Sequence, residues 1–358
     1  MKDTRRGLTT SLAILCAGAV VILGRLFSGA PADEAASPRQ NTASQTAAVA
    51  TTAEPSAFIS FYRDDTIDTF PLVEGQLDPV TMDVFSEQVM SFDQARTGAL
   101  VYTRRDDNWL ESDFIYYREL GNRGVVLDRD MRGCRFPAIS PDGDIIVCVK
   151  GGLLYRYDWR DNRFKEMPLM LADDTPARAA GAPQAYNDVV VVPVVRAEEP
   201  HLALFDARDG DFIKIVRNTT TVVFNAAGRL YATPDDVGGK PRVLVWDVDA
   251  RSPRIVALSD FIGKTTVLTF STHPDSLLLT VQADDGTHLV WVNWPQDTYV
   301  VLHTFEGAVS LLADLSDESD FLLTRLDTGE VLYVNLRDEY PTPRPLAQAR
   351  AARWVYPN

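Results

Sequence analysis

Six short apolar runs return along this chain at a nearly constant spacing, each closing on or near a polar landmark. They read FIYYRE (114–119), LLYRYD (153–158), LALFDA (202–207), VLVWDV (243–248), LVWVNW (289–294) and VLYVNL (331–336). Their landmarks Arg118, Asp158, Asp206, Asp247, Asn293 and Asn335 lie 40, 48, 41, 46 and 42 residues apart by subtraction. Apolar and polar positions alternate within the runs, as in strands, and no long stretch of helical period separates them. A repeat of this length with several strands per unit buries its faces only against copies of itself. That is the sequence pattern of a β-propeller blade.

The remaining strands of each unit are placed by this register. A second strand precedes each landmark run: IIVCV (145–149), VVVVPVV (189–195), GRLYAT (228–233), SLLLTVQ (276–282) and DFLLTRL (320–326). Ahead of these lie turns such as SPDG (140–143), NAAG (225–228), THPD (272–275) and SDES (316–319), and after the landmarks come fourth runs such as RFKEM and TYVVLH. Each unit thus supplies four strands, a to d outward from the axis, and six units span residues 91–346. The segment FISFYRDDTIDTFPLV (58–73) reads as strands c and d of a partial blade, and ARWVYPN (352–358) as a lone strand. Joined, they make a seventh blade built from both chain ends, which leaves no open sheet edge. Six blades is the alternative, with residues 58–90 as an irregular cap. The expected fold is all-β, a propeller over 58–358.

The unit FPAISPDGDIIVCVKGGLLYRYD (136–158) resembles the WD-like repeat of TolB-type β-propellers: strand, SPDG turn, strand, short loop, and a strand ending near Asp. The resemblance extends as architecture over residues 91–346 and implies a propeller, not an activity. A second resemblance is to the quinoprotein-like propeller repeat, carried by LALFDARDGDFIKI (202–215) alone.

The N-terminus reads as a targeting segment. Lys2, Arg5 and Arg6 precede an uncharged apolar stretch from Leu8 to Leu23, and positive residues before such a stretch place the downstream chain across the membrane. Residues 1–30 are expected to form a retained transmembrane signal anchor, the alternative being a signal peptide cleaved after Ala32. Residues 31–57 are rich in Ala, Ser, Thr, Pro and Gln and contain no aromatic. They cannot bury enough surface to fold and read as a tether with a reach of about 30 Å. The propeller is therefore expected on the extracytoplasmic side, periplasmic or extracellular.

The formal charge is −15, from 35 Lys and Arg against 50 Asp and Glu. Nucleic-acid binders need basic surface, so that partner class is excluded. The acid is patterned: Asp106, Asp107, Glu198, Glu199, Asp235, Asp236, Asp284, Asp285, Asp327 and Glu330 all fall in b–c connections. They form a candidate acidic face for a protein or peptide partner of basic character, the competing reading being ordinary turn chemistry that keeps the surface soluble. His201, His273, His288 and His303 are too few and too dispersed for one metal. No linear catalytic or phosphate-binding motif is present, so no catalytic, cofactor or metal residue is assigned. An extracytoplasmic enzyme assembled at the channel mouth is the alternative to an interaction or scaffold module of the cell envelope. Cys134 and Cys148 flank the SPDG hairpin and are candidates for a disulfide in an oxidising compartment.

Overall fold

The computed structural model describes residues 57–358, apart from short stretches at 64–65, 74–75, 88, 107–111, 197, 218–221, 272–274, 317–319, 339–340 and 357–358. The anchor and most of the tether expected at residues 1–57 lie outside the described residues, among which no helix is long and apolar enough to cross a membrane.

The repeat folds as its period predicts. The chain opens with β1 (Ala57–Tyr62), β2 (Ile67–Val73), β3 (Gln76–Leu77) and β4 (Asp83–Phe85). Six four-stranded sheets come next. Blade 1 contains β5 (Ser91–Gln94), β6 (Leu100–Asp106), β7 (Ser112–Arg118) and β8 (Val125–Val126). Blade 2 contains β9 (Arg135–Ile139), β10 (Ile146–Lys150), β11 (Leu153–Asp158) and β12 (Arg163–Met167). Blade 3 contains β13 (Gln184–Ala185), β14 (Val189–Arg196), β15 (Glu199–Asp206) and β16 (Phe212–Arg217). Blade 4 contains β17 (Val223–Phe224), β18 (Leu230–Pro234), β19 (Arg242–Asp247) and β20 (Arg254–Ala257). Blade 5 contains β21 (Lys264–Phe270), β22 (Ser276–Ala283), β23 (Gly286–Asn293) and β24 (Thr298–Phe305). Blade 6 contains β25 (Leu311–Leu315), β26 (Asp320–Arg325), β27 (Glu330–Asn335) and β28 (Arg344–Gln348). The last strand, β29 (Ala351–Val355), returns to pair with β1.

Blade 7 is therefore ordered β29-β1-β2-β3, with β4 also pairing to β2. Both chain ends build it, as expected, but residues 58–73 occupy positions b and c rather than c and d. The reason is the pairing itself: Phe58 faces Val355 and Tyr62 faces Ala351, so β1 sits second from the axis. The outer position falls to the fragments QL and DVF, too short to register as strands in sequence.

Each gap between blades is filled by its own apolar cluster, seven among the described residues. Strands of a stacked blade are covered on both faces, which is why runs such as Val189–Val192 are buried at consecutive positions. In the SPDG turn, the Ser140 hydroxyl accepts from the Ile145 amide at 2.9 Å, and Gly143 takes φ +88°, open to glycine without steric cost. Cys134 and Cys148 are both buried and joined by a disulfide that ties the approach to β9 onto β10, with Cα atoms 5.9 Å apart.

Deleting residues 350–358 removes β29, exposes the edge of β1 and bares the cluster around Ile59, Phe61 and Leu322. The truncated chain is expected to melt well below the full-length one, since an open edge and a bared apolar face appear together. A melt coincident with that of the intact chain would place the tail outside the ring.

Candidate functional site

The first strands of all seven blades surround one cavity of about 230 Å³ on the axis. Its wall is mainly apolar, contributed by residues such as Ala138, Val267 and Ala352, and is broken by Asp93, Arg96, Asp314 and Arg353. Arg353, on β29, donates through Nη1 to Asp93 Oδ1 at 3.2 Å and to the Gln94 carbonyl at 2.9 Å. The other Asp93 oxygen accepts from the Ile139 amide at 3.0 Å, carrying the link into blade 2. Asp314 Oδ2 accepts from the Trp354 amide at 2.7 Å, and Arg96 donates to the Leu315 carbonyl at 3.1 Å. Tyr62 donates to Gln94 Oε1 at 2.5 Å, and its ring lies 6.0 Å from the Arg353 guanidinium. Blades 6, 7, 1 and 2 are thus laced together around the closing strand.

Burial pushes the Asp93 and Asp314 carboxyls above the usual carboxylate range, and the charge of Arg353 works against that rise in both. Burial also works against the Arg353 charge, but Tyr62, Asp93 and Asp314 outweigh it and hold the guanidinium protonated. Carboxylates and arginines on different blades make no linear motif, so sequence reasoning missed this cluster. The one available signal was the polar residues inside strands expected to be apolar: Asp93, Asp314 and Arg353.

Phe136 stands at the cavity wall with φ +53°, a backbone conformation costing about 1–3 kcal/mol for a bulky residue. Between Val147 and Val149 the pairing of β10 with β9 shifts register, with Phe136 and Pro137 opposite the shift. The ring of Phe136 is partly exposed.

The acidic b–c connections do lie on one face, because antiparallel strands return every b–c turn to the same end of the ring. Several of their charges are locally engaged. Asp235 pairs with Arg242, and Asp327 pairs with Arg325 at 2.9 Å, with Glu330 3.8 Å from the same guanidinium. Asp285 bonds His288 Nε2 at 3.0 Å, which lowers the Asp285 carboxyl. Asp236 accepts from the Thr265 amide of the next blade at 3.0 Å. Glu198, Glu199 and Asp284 are exposed. Asp107 and the Asp106 side chain lie outside the described residues, as does His273. His288 is buried with both ring nitrogens bonded, the second to Thr304 Oγ1 at 2.9 Å. His201 stands on β15 in blade 3, away from it. No cluster of three or more His, Cys, Asp or Glu suited to a metal occurs among the described residues.

No protein-family model matches the sequence, and no curated protein matches it significantly. The fold does match solved propellers. A functionally unknown protein from Desulfotomaculum acetoxidans is similar at TM-score 0.51 and 12% identity, over 84% of this chain and 99% of that one. Apo AztD from Citrobacter koseri is similar at TM-score 0.50 and 9% identity, over 84% and 97%. TolB from Acinetobacter baumannii aligns at TM-score 0.44 and 11% identity, over 83% and 82%. At such identities the likeness is one of fold, and the propeller architecture that the TolB-type resemblance implied is the one the chain adopts.

The charge cluster yields a pH-dependent expectation. Arg353→Met leaves Asp93 and Asp314 without their shared cation, at a cost of roughly 3 kcal/mol at neutral pH. A carboxyl whose folded-state pKa is raised favours the fold when protonated, and that contribution is lost as pH rises through the folded value. The variant's deficit in thermal unfolding should therefore shrink between neutral and acidic pH, because the raised carboxyls take up protons as the pH falls. An equal deficit at both pH values would assign the loss to packing.

Proposed function

We propose that the protein is a membrane-tethered, extracytoplasmic propeller that binds protein or peptide across its b–c face. The observation that carries this reading is where the chain enters and leaves the ring. Ala57 pairs with Leu72, beside the c–d end of blade 7, and Val355 lies opposite Phe58 at that same end. β1 starts and β29 ends on this side of the ring, opposite the acidic b–c connections. A linker from residues 31–57 to an N-terminal anchor would hold the c–d side toward the membrane and present the b–c face outward. The only strand edges left in a closed propeller are the short outer ones of its blades, so the b–c face offers loops and the channel mouth for recognition. The Cys134–Cys148 bond supports an oxidising compartment.

Two measurements on the same cells test the reading. The full-length chain should stay with membranes through salt and carbonate washes. Alkylation of the denatured, unreduced protein should label Cys16 but neither Cys134 nor Cys148. A soluble mature form beginning near Asp33 would replace the anchor with a cleaved signal, and labelled Cys134 and Cys148 would place the propeller in a reducing compartment.

A further inference from the structure

The b–c face is apolar as well as acidic. Phe136, Met170, Val195, Val237, Ile262 and Leu326 are all large hydrophobic residues exposed in its connections or at its strand ends. Ile262 is 78% exposed and Val237 53% exposed. These two stand on neighbouring loops that are bonded into one ridge between blades 4 and 5.

Gly263 donates to the Gly239 carbonyl at 3.0 Å, and Asp236 caps the Thr265 amide at 3.0 Å. A Cβ on Gly239 would lie 3.9 Å from the Ile262 side chain. Gly263 itself sits against backbone: a Cβ there would lie 2.1 Å from the Gln282 carbonyl oxygen, so the close approach requires glycine. That contact sets Ile262 beside the Asp284–Asp285 turn. Phe261 continues the ridge, its ring 5.1 Å from His288, which Asp285 and Thr304 hold on either side. The two loops that carry Val237 and Ile262, with the β22–β23 turn next to Gly263, include Asp236, Asp260, Asp284 and Asp285 against Lys240 and Lys264. Asp285 stays ionised because the His288 hydrogen bond lowers its carboxyl.

We propose that this ridge docks an extended segment of another protein that carries aliphatic and basic side chains in alternation. The aliphatic groups would cover Val237 and Ile262, and the basic groups would meet the surrounding carboxylates. Two rigid, exposed aliphatic side chains on bonded loops offer area at little entropic cost, and an acidic rim selects a basic partner and speeds its arrival. The same rim repels an anionic lipid surface, and a second copy of this chain, itself at −15, would meet like charge. The site rests on the reading of the b–c face as the binding face and names where on that face, and what, it binds.

The test uses the full-length chain, in neutral-lipid nanodiscs if it is anchored and free if it is not. Three labelled synthetic peptides are titrated by fluorescence anisotropy: alternating Lys and Leu, alternating Lys and Ser, and alternating Glu and Leu. The Lys/Leu peptide should bind at least about tenfold tighter than either other. The double variant Val237→Asp/Ile262→Asp should lose about that factor, while Ile255→Asp, on exposed outer strand β20, should keep native affinity. All variants should melt like the native chain. Equal binding of the Lys/Leu and Lys/Ser peptides, or native affinity in the double variant, would overturn the site. So would capture of anionic vesicles, or a native dimer that the double variant dissolves. A partner crosslinked instead near Leu326 would remove this site and leave the interaction-module reading standing.

Discussion

The antiparallel pairing of β29 with β1 is the contact on which the rest of the ring depends. It joins residues nearly 300 apart in sequence and supplies the innermost strand of blade 7. Without it, blade 6 would lose the neighbour that covers Leu322, Val331 and Tyr333, and blade 1 would lose the Ala351 side of its contact with blade 7. Each blade is covered by two others, so a gap at one place bares two apolar faces at once. Closure joins six sheets and the two chain ends into one ring in which both faces of every blade are covered.

The seam between blades 7 and 1 is built differently from the gaps between blades 2 and 3, 4 and 5, and 5 and 6. In those three the filling is largely Val, Leu, Ala and Phe. Here Tyr62 and Tyr102 share the gap with few aliphatics, and polar bonds do more of the joining. On the inside, Arg353 reaches Asp93 and Gln94. On the outside, Arg118 grips Asp83 through two bonds of 2.7 and 2.8 Å while lying over the Phe85 ring. Aliphatic packing tolerates several registers, whereas bidentate and charge-assisted bonds are directional. Placing them at the joint made by two distant chain segments gives that joint one register. Buried charges are a weak source of net stability, because desolvation offsets much of their attraction.

Much of this was legible in sequence, and the reasons it stopped are physical. The period of the landmarks and the alternation within the runs fixed strands such as β11 and β12 to the residue, because blade packing imposes both. The position of residues 58–73 within blade 7 was misjudged by one strand, since the outer pieces 76–77 and 83–85 are too short to carry a pattern. The acidic doublets were visible, but not that Asp235, Asp285 and Asp327 had partners, because Arg242, His288 and Arg325 arrive from across a turn. The axial cluster of Asp93, Asp314 and Arg353 showed in sequence only as isolated polar residues inside strands. Its members come from three blades and meet only after the ring closes.

Native-state hydrogen exchange at the closing strand tests the closed ring most directly. If β29 is an integral strand, the amides that pair it with β1, and the Trp354 amide held by Asp314, should exchange only with global unfolding, as slowly as those of β22 and β26. Exchange of β29 at the fast rate of a frayed terminus, while β22 stays protected, would contradict closure by this strand.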